Sequence, residues 1–395
     1  MRILIFKPKN YPQPIGGPAG YLYNLKMGIK SDSDIDICFL PDIRISRSDS
    51  SKEAFISAVK NISIIKPLII ARRVIKRYQY VNDILRNKNN YDVDLNTYDC
   101  IHFHTTIDMY KTRDLLSDYR GLVILTSHSP IPLHDEIYQE SGRIEKIILK
   151  KRIKKLEIID DYSFEKADYI FQPCVNSDDG YIRLWPKYGI IKRKKVDNYR
   201  YCLTGVVNKN VSESRECVRD KYKIPKDAIV LSYIGRHSSI KGYDVLVKLA
   251  KRILAEYNNV FFIIGGHEGT IKGLNHKRWM EIGWTNNPQD LINASDVFLL
   301  PNKETYFDLV LLEALSLGTP IITSNIGGNK IFANDKGVIL YNSESELIEK
   351  VNEIIKMSPN ERKILSDENK KLYNSKFTEN AFGDRYLELI KNLLV

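Results

Sequence analysis

The sequence lacks the long apolar run that a membrane-spanning helix needs, since no hydrophobic stretch approaches ~20 residues. It also lacks a secretion signal, because the start, MRILIFKPKNYPQP, has only four consecutive apolar residues before charge and proline follow. Cysteine is scarce, with five residues that lie far apart and form no C-x-x-C pair. That set is typical of a reducing compartment and argues against structural zinc. We therefore expect a cytoplasmic protein.

Acidic residues are too few to balance the basic ones, and the net charge is +11. The excess is concentrated in three runs, at 69–78, 145–157 and 187–195. Such a run is either a solvated helix face or a surface for nucleic acid, an anionic membrane or phosphorylated substrates. Two of the runs interleave Ile and Leu with Lys and Arg at helical spacing, which fits an interfacial helix. No nucleic-acid-binding signature accompanies them, so we favour membrane or phosphate.

Strand-like apolar runs alternate with helical periodicity in both halves of the chain, which predicts an α/β protein with two doubly wound parallel sheets. The predicted strands lie at 2–7, 35–40, 98–104, 121–129, 167–174, 199–206, 228–236, 259–266, 320–325 and 336–341, with one more inside PQDLINASDVFLLP. The seam falls in the charged segment near 205–228. Ligands bind beyond the carboxyl ends of strands in open α/β sheets. The expected site is therefore a cleft between the two sheets.

The stretch YIGRHSSIKG brings a strand end, Arg236 and Lys241 together at the start of a helix. Arginine offers a planar fork for phosphate and lysine a mobile charge. A helix amino end adds N–H donors and a favourable dipole. The stretch therefore predicts a diphosphate cradle, although an ordinary strand–loop–helix junction would also contain these residue types.

The stretch PNKETYFDLVLLEALSLGTP predicts a helix capped by Thr305 or Asp308. The N–H groups from Phe307 to Val310 are available in such a helix start to hold a phosphate. Glu313 falls inside the helix on an otherwise apolar face. A carboxylate there needs donors, since an unpaired buried charge is very costly, and ribose hydroxyls are suitable.

The motifs GRHSSIKG, GWTNNPQDLINASDVFLLP, ETYFDLVLLEALSLGTP and SNIGGNK occur in an order and spacing that resemble the retaining GT-B glycosyltransferases. The bacterial group 1 family (family four), which uses nucleotide-sugar donors, is the most similar. The resemblance is strong over about 230–330 and weaker in the N-terminal half. It implies two Rossmann-like domains facing a cleft: an acceptor-binding domain at 1–205 and a donor-binding domain at 206–375. The C-terminal helix at 376–395 would rejoin the first domain.

The resemblance also implies roles for individual residues. Arg236 and Lys241 would hold the donor diphosphate, and Glu313 would bind the nucleotide ribose. The glutamate that contacts the transferred sugar in the family falls on Thr305 here, and an acid, Glu304, stands one place earlier. Either residue fills that role, and we favour Glu304. The family's Phe-Gly reads Phe307-Asp308, and the donor-binding loop would run on through Leu309.

Further residues align with the family less specifically. Gly16 and Gly17 match a loop that approaches the diphosphate, where only glycine lets backbone come so close; a plain turn is the alternative. His128 matches a histidine that faces the sugar and acceptor. Trp284 falls near the nucleotide base, with stacking or core packing as the two interpretations. His102 and His104 alternate across Phe103 and point the same way, toward the acceptor or into the core.

The resemblance implies a retaining transfer of a hexose or N-acetylhexosamine, with UDP as the expected nucleotide. No Asp-x-Asp pair stands where it would clamp a metal, so we expect no metal and no cofactor beyond the nucleotide-sugar substrate. The acceptor would be a glycan or a lipid-linked sugar of a bacterial surface polysaccharide. The protein would work at the inner face of the cell membrane, held there by its basic helices. The alternatives are a nucleotide-sugar epimerase, a weakly catalytic binding subunit and, least favoured, a nucleic-acid binder.

Overall fold

The computed structural model describes residues 1–7, 12–14, 16–30, 34–40, 66–86, 93–269 and 271–393. Its contacts divide the chain into two compact units. The first unit comprises Met1–Tyr11, Ser31–Phe171 and Tyr181–Arg200. The second comprises Pro12–Lys30, Gln172–Gly180 and Tyr201–Val395. Two early segments of the chain therefore belong with its C-terminal half.

The elements that begin in the first half of the chain are β1 (Arg2–Phe6), α1 (Gly17–Gly28), β2 (Asp36–Phe39), α2 (Lys66–Arg86), β3 (Cys100–Phe103), α3 (Thr106–Lys111), β4 (Leu122–Leu125), α4 (Leu133–Glu140), α5 (Arg143–Lys154), α6 (Glu157–Lys166), β5 (Tyr169–Gln172), α7 (Asp179–Leu184), α8 (Pro186–Lys194) and β6 (Tyr199–Tyr201). The second half contains α9 (Arg215–Lys221), β7 (Ile229–Ile234), α10 (Tyr243–Glu256), β8 (Val260–Gly265), β9 (Trp279–Gly283), α11 (Pro288–Asn293), β10 (Val297–Leu300), α12 (Leu309–Leu317), β11 (Ile321–Ser324), β12 (Val338–Tyr341), α13 (Glu344–Lys356), α14 (Pro359–Leu372) and α15 (Glu379–Asn392). A 3-10 helix at Gly327–Phe332 and a π-helix at Tyr373–Phe377 complete this half.

Each unit is built on one six-stranded sheet. The order is β2-β1-β3-β4-β5-β6 in the first sheet and β12-β11-β10-β7-β8-β9 in the second. The pairs from β2 to β5 are parallel, and so are all pairs of the second sheet. This confirms the predicted α/β class. Central strands such as β7, IVLSYI, are apolar almost throughout because helices cover both faces of a parallel sheet.

The α1 helix packs on α15, within the second unit. A Cβ atom on Gly28 would lie 1.8 Å from the carbonyl oxygen of Glu379, and one on Gly383 would lie 2.1 Å from the carbonyl oxygen of Gly28. Tyr21 meets Phe382 edge-on, with ring centroids 5.0 Å apart. The glycines let the two helices approach closely enough for these rings to pack.

The strand β9 was not predicted from the sequence. It extends the second sheet at its edge, where Phe262 of β8 faces Trp279. Because an edge strand is only partly covered, WMEIG shows neither an apolar run nor a clean alternation. Within the described parts of the chain, none of the helices combines the length and apolarity that crossing a bilayer requires.

Candidate functional site

Backbone contacts between loops shape the carboxyl edge of the second sheet. Gly242 adopts φ 63°, and a Cβ atom there would lie 1.5 Å from the carbonyl oxygen of Pro301. Gly266 adopts φ 130°, and a Cβ atom there would lie 1.9 Å from the carbonyl oxygen of Gly235. Only glycine allows these conformations and approaches. The loops after β7, β8 and β10 are thereby locked together.

The loop after β7 presents the two predicted phosphate ligands. Arg236 is exposed, and its backbone is anchored by the Tyr233 hydroxyl, which donates to the Arg236 carbonyl at 2.9 Å. Lys241 lies just before α10, and its Nζ is 2.6 Å from Oδ1 of Asp308. The structure therefore places Lys241 just before α10, as the motif predicted, and also brings it to the start of α12, which the motif did not predict.

The α12 helix explains the apolar sequence that follows this loop. Its inward face, formed by Leu311, Leu312, Ala314 and Leu315, is buried. Asp308 is the N-cap residue, one of the two that the sequence indicated, but the expected capping hydrogen bond is absent. Its carboxylate instead accepts hydrogen bonds from Lys241, Asn302 and Thr305. The amino end of α12 is consequently left without a side-chain cap.

Glu313 has a partner that the sequence did not reveal. Nζ of Lys209 lies 3.0 Å from its Oε1, and the two side chains are 19% and 17% exposed. Burial raises the pKa of Glu313, and the neighbouring Lys209 ammonium opposes that rise. Lys209 comes from the charged segment after β6, which has no motif to single it out. The pair places an ionisable carboxylate and a cation beside the start of α12.

The two candidates for the sugar-contacting role differ in their surroundings. Thr305 is 5% exposed, and its hydroxyl is used by Asp308. Glu304 is half-buried in the same loop. Gly327, at φ 47°, supports this loop, because a Cβ atom there would lie 2.1 Å from the Thr305 carbonyl oxygen. The NIGGNK segment therefore packs against the loop that carries both candidates.

An aromatic pair stands at the ends of β8 and β9. Trp284 is 50% exposed and stacks on His267, with ring centroids 4.2 Å apart and planes 14° from parallel. Core packing, one of the two interpretations of Trp284, is therefore wrong. His267 was not singled out from the sequence, because it pairs with Trp284 only through the adjacency of the two strands. The exposed faces of such rings can stack on a planar ligand.

The loop that carries Arg236 rests on a buried polar cluster. His237 is 1% exposed, and its ring stacks on Tyr243 at 4.0 Å. Oε1 of Glu281 lies 3.0 Å from His237 Nδ1 and accepts a hydrogen bond from the Tyr243 hydroxyl at 2.9 Å. Burial lowers the pKa of His237, while Glu281 opposes that change. This cluster fixes the backbone next to Arg236.

The glycine loop before α1 is open. Gly16 is the N-cap residue with φ 78°, and a Cβ atom on Gly16 or Gly17 would meet nothing within 4 Å. No side chain caps this helix start, and its first turn carries no acidic residue. The positive φ explains glycine at position 16. The structure assigns both glycines to the second unit, together with Arg236 and Lys241.

His128 lies in the first unit, at the carboxyl end of β4, in a row of histidines. Its Nε2 is 2.9 Å from Nδ1 of His104, whose ring lies 4.1 Å from that of His102. His102 and His104 are fully buried. Burial lowers the pKa of His128 to about 3, and Lys7 adds to this effect. The rings of His102 and His104 point the same way, as their alternation predicted.

The histidine row has a defined hydrogen-bond direction at its inner end. Thr126 Oγ1 donates to the Phe171 carbonyl at 3.2 Å and lies 2.8 Å from His102 Nε2. Because a hydroxyl has one proton, His102 Nε2–H must donate to Thr126. His102 therefore carries a proton on Nε2, and burial, which lowers its pKa, favours the neutral form of the ring.

Comparison with known proteins shows similarity in fold over the whole chain and in sequence over part of it. Its fold matches solved GT-B structures. One is HepE from Anabaena, crystallised with UDP, with TM-score 0.61 and 14% identity over 99% of this chain and 100% of that one. Residues 214–372 match the family described as glycosyl transferases group 1. This part of the chain is therefore similar to group 1 glycosyltransferases, as its motifs indicated.

Two sequence relatives come from Escherichia coli. The O-antigen biosynthesis glycosyltransferase WclY is 23% identical over 341 residues, covering 78% of this chain and 92% of WclY. A UDP-Gal:alpha-D-GlcNAc-diphosphoundecaprenol alpha-1,3-galactosyltransferase is 30% identical over 125 residues, covering 29% of this chain and 32% of that enzyme. The first match extends over most of both proteins, and the second over about a third.

Proposed function

We propose that this glycosyltransferase transfers a hexose or N-acetylhexosamine, with retention of configuration, from a UDP-sugar to a glycan or lipid-linked acceptor in bacterial surface-polysaccharide synthesis. The observation that carries the proposal is the cationic loop with Arg236 and Lys241 beside the uncapped start of α12. We assign donor binding to the second unit and acceptor binding to the first. A UDP complex of HepE and the O-antigen role of WclY support the donor and the pathway class.

The donor diphosphate would bind to Arg236, Lys241 and the N–H groups from Phe307 to Leu309. These groups supply positive charge and directed donors where the leaving group accumulates negative charge. The open loop at Gly16 and Gly17 leaves room for phosphate oxygens beside backbone. Because Arg236 and Lys241 already supply this charge, we propose that the transfer needs no metal ion.

The nucleoside would occupy the neighbouring groups. The exposed pair of Trp284 and His267 offers a stacking face for the base. The ribose hydroxyls would donate to Glu313, whose charge Lys209 stabilises at 3.0 Å. Pairing with Lys209 opposes the rise in pKa that burial causes, and so favours the ionised form of Glu313, which accepts hydrogen bonds.

Glu304 is the residue that we assign to the transferred sugar. The Thr305 hydroxyl donates to Asp308, so its only proton is committed inside the protein. A carboxylate binds sugar hydroxyls more strongly than a hydroxyl does, because its hydrogen bonds are charge-assisted. We assign His128, at the carboxyl end of β4, to the sugar or acceptor, as the resemblance implies.

The reaction breaks the bond between the anomeric carbon and the diphosphate oxygen through an oxocarbenium-like state. Arg236 and Lys241 stabilise the departing diphosphate. The acceptor hydroxyl attacks from the same face, and its proton passes to a phosphate oxygen of the leaving group. The products are the glycosylated acceptor and the nucleoside diphosphate, with retained configuration. This route needs no separate general base on the protein.

We propose that the protein acts at a membrane surface. The galactosyltransferase relative is named for a diphosphoundecaprenol-linked acceptor, which is a membrane lipid. Helices α2 and α5 of the first unit carry basic residues together with exposed apolar side chains. We propose that they hold the protein against an anionic cytoplasmic membrane surface.

The first experiment is a thermal-shift panel with UDP, GDP, ADP, CMP and their common sugars, on the wild type and Arg236→Ala. A ligand at ~100 times its dissociation constant should add about 2.7 kcal/mol of stability. We expect a shift with UDP or a UDP-sugar that Arg236→Ala loses. No shift with any nucleotide would contradict the proposal.

Turnover separates the proposal from its rivals. We expect transfer from the stabilising sugar nucleotide to an added acceptor, and a loss of at least ~100-fold in kcat for Glu304→Gln but not for Thr305→Val. Conversion of the UDP-sugar without any acceptor would indicate an epimerase. Nucleotide binding with neither reaction would indicate a binding subunit.

A further inference from the structure

Asp308 stands at the N-cap of α12 but does not behave as a capping residue. An aspartate in this position ordinarily accepts hydrogen bonds from the N–H groups of the first helical turn. Here no such side-chain hydrogen bond forms. The carboxylate is turned toward Lys241 and two neighbours, which leaves the helix N–H groups for another acceptor.

The Asp308 carboxylate is buried, and both of its oxygens accept hydrogen bonds. Its Oδ1 accepts from Lys241 Nζ at 2.6 Å, and its Oδ2 accepts from Asn302 and Thr305. Asn302 is 2% exposed and Thr305 5% exposed. The Asp308 side chain is 8% exposed, whereas that of Lys241 is 28% exposed. Asp308 is therefore the fixed member of the ion pair, and Lys241 is the member that reaches the surface.

Two physical effects make a carboxylate partner favourable for Lys241. The amino end of α12 carries a partial positive charge, which repels an ammonium group placed beside it. The lysine stem is flexible, so fixing its ammonium group costs conformational entropy. A carboxylate at 2.6 Å offsets the repulsion and defines where the ammonium group lies. Asn302 and Thr305 in turn define where the carboxylate lies.

We propose that Asp308 is a positioning residue that holds Lys241 in place for the donor diphosphate; this rests on the function proposed above. A lysine ammonium has three N–H donors, and the pair with Asp308 uses one of them. The remaining donors stay available to phosphate oxygens. Asp308 occupies the position where the group 1 pattern has glycine. The ion pair between Lys241 and Asp308 is therefore not part of that pattern.

The test is a double-mutant cycle on ligand affinity, measured by isothermal titration calorimetry with UDP, and with GDP in parallel. The proteins are the wild type, Asp308→Asn, Lys241→Met and the double variant. We expect Asp308→Asn to weaken nucleoside-diphosphate binding about ten-fold, the scale of one charge-assisted hydrogen bond. In the Lys241→Met background the same change should have no further effect.

Two controls separate positioning from a general structural role. Binding of the nucleoside, uridine or guanosine, should be the same in the wild type and Asp308→Asn, because it has no phosphate. Asp244→Asn, which removes the acid of a different ion pair with Lys303 at 2.5 Å, should leave diphosphate binding unchanged. Asp308→Ser replaces Asp308→Asn if the latter does not fold.

Three outcomes would overturn the inference alone: unchanged or tighter diphosphate binding in Asp308→Asn, an equal loss in the Lys241→Met background, or an equal loss of nucleoside binding. A wild type that binds neither UDP nor GDP would overturn the proposed donor site together with this inference. The failure of one is thus distinguishable from the failure of the other.

Discussion

At the scale of the residue, His128 adopts a backbone conformation that histidine seldom takes. Its φ is 55°, in the left-handed region. Such conformations persist only when the surroundings determine them, and they concentrate at functional sites. Here the bond to His104 holds the ring at 2.9 Å.

The low pKa of His128 predicts a pH dependence of stability. In the unfolded chain His128 takes up a proton near pH 6.5, whereas in the folded protein it does so only at a pH of about 3. The contribution of His128 to the free energy of unfolding is therefore fully present above the pKa of the unfolded chain, and it is lost as the pH falls below that pKa. We expect acidification from about pH 7 to pH 5.5 to destabilise the wild type by about 1 kcal/mol more than His128→Asn.

The measurement is urea unfolding of both proteins at the two pH values. Buried Asp160, with a pKa raised to about 7, changes stability in the opposite direction over this range. It is present in both proteins, so its contribution cancels in the difference. An identical pH dependence of the two proteins would show that His128 does not keep a lowered pKa.

Sequence patterns predicted candidate residues for the site, but not the contacts that these residues make. Arg236, Lys241 and Glu313 were predicted because each stands in a local motif. Lys209 was not predicted as the partner of Glu313, because the chain brings it in from a distant segment. Asn302 lies only six positions before Asp308, but no motif singles it out. The Lys241–Asp308 pair joins residues 67 positions apart. Nothing local in either motif indicates that Asp308 would bind Lys241 and leave its own helix uncapped.

At the scale of the element, α2 and α5 form one surface of the first unit. They share a core in which Val81 and Ile84 pack with Leu149 and Ile153. Exposed apolar side chains on their outer faces are Ile75 (55%), Tyr78 (42%), Ile144 (42%), Ile147 (72%) and Ile148 (61%). Lysines and arginines stand between them. Exposed isoleucine among cations suits a membrane interface better than water.

We predict that the wild type binds vesicles containing anionic phosphatidylglycerol at low salt and leaves them at high salt. Ile147→Ser with Ile148→Ser should weaken binding at least ~10-fold, because two apolar side chains no longer enter the interface. Ile364→Ser on α14 is the matched control, since Ile364 is 59% exposed. Co-sedimentation with the vesicles measures the binding of the wild type, the double variant and the control variant. No binding of the wild type at low salt would refute the prediction.

Two lysines of the third basic run make contacts within the first unit. In α8, Lys187 lies 2.8 Å from Asp161. Lys195, just past the helix, donates to the Ala167 carbonyl at 2.6 Å. These lysines hold α8 to its neighbours. In the sequence all three basic runs were equally good candidates for an interaction surface. Only the structure shows which of their cations make contacts inside the protein.

At the scale of the whole molecule, the chain passes repeatedly between the two units. Residues 12–30 and 172–180 belong with the C-terminal half. The alternating pattern predicted both sheets, because a buried parallel strand needs a continuous apolar run. Periodicity does not contain the information that α1 packs on α15, since it reports that a face is apolar and not which element covers it.

This arrangement predicts the behaviour of a truncated protein. A fragment of residues 201–393 lacks α1, whose side chains Tyr21, Leu22 and Leu25 are buried. Losing three such side chains removes roughly 4–9 kcal/mol, which is comparable to the stability of a domain. We expect the fragment to bind the dye ANS and to unfold without a cooperative transition, as followed by circular dichroism.

The control fragment carries residues 12–30 after position 393, joined by a flexible Gly/Ser linker. It should regain a cooperative transition, because α1 again finds α15. If residues 201–393 alone unfold as cooperatively and at the same temperature as this control, α1 contributes nothing to the second unit.

Because α1 pairs with α15, its apolar face stays uncovered during synthesis until α15 has been made. Lys30 and Asp384, 3.4 Å apart in the folded protein, are separated by 354 residues of chain. At 5–20 residues per second, a ribosome needs roughly 20 to 70 s to make that length. The apolar face of α1 leaves the ribosome before α15 has been made, and it meets its partner only after this interval. In the interval this face is a target for a chaperone that binds short apolar segments of nascent chains.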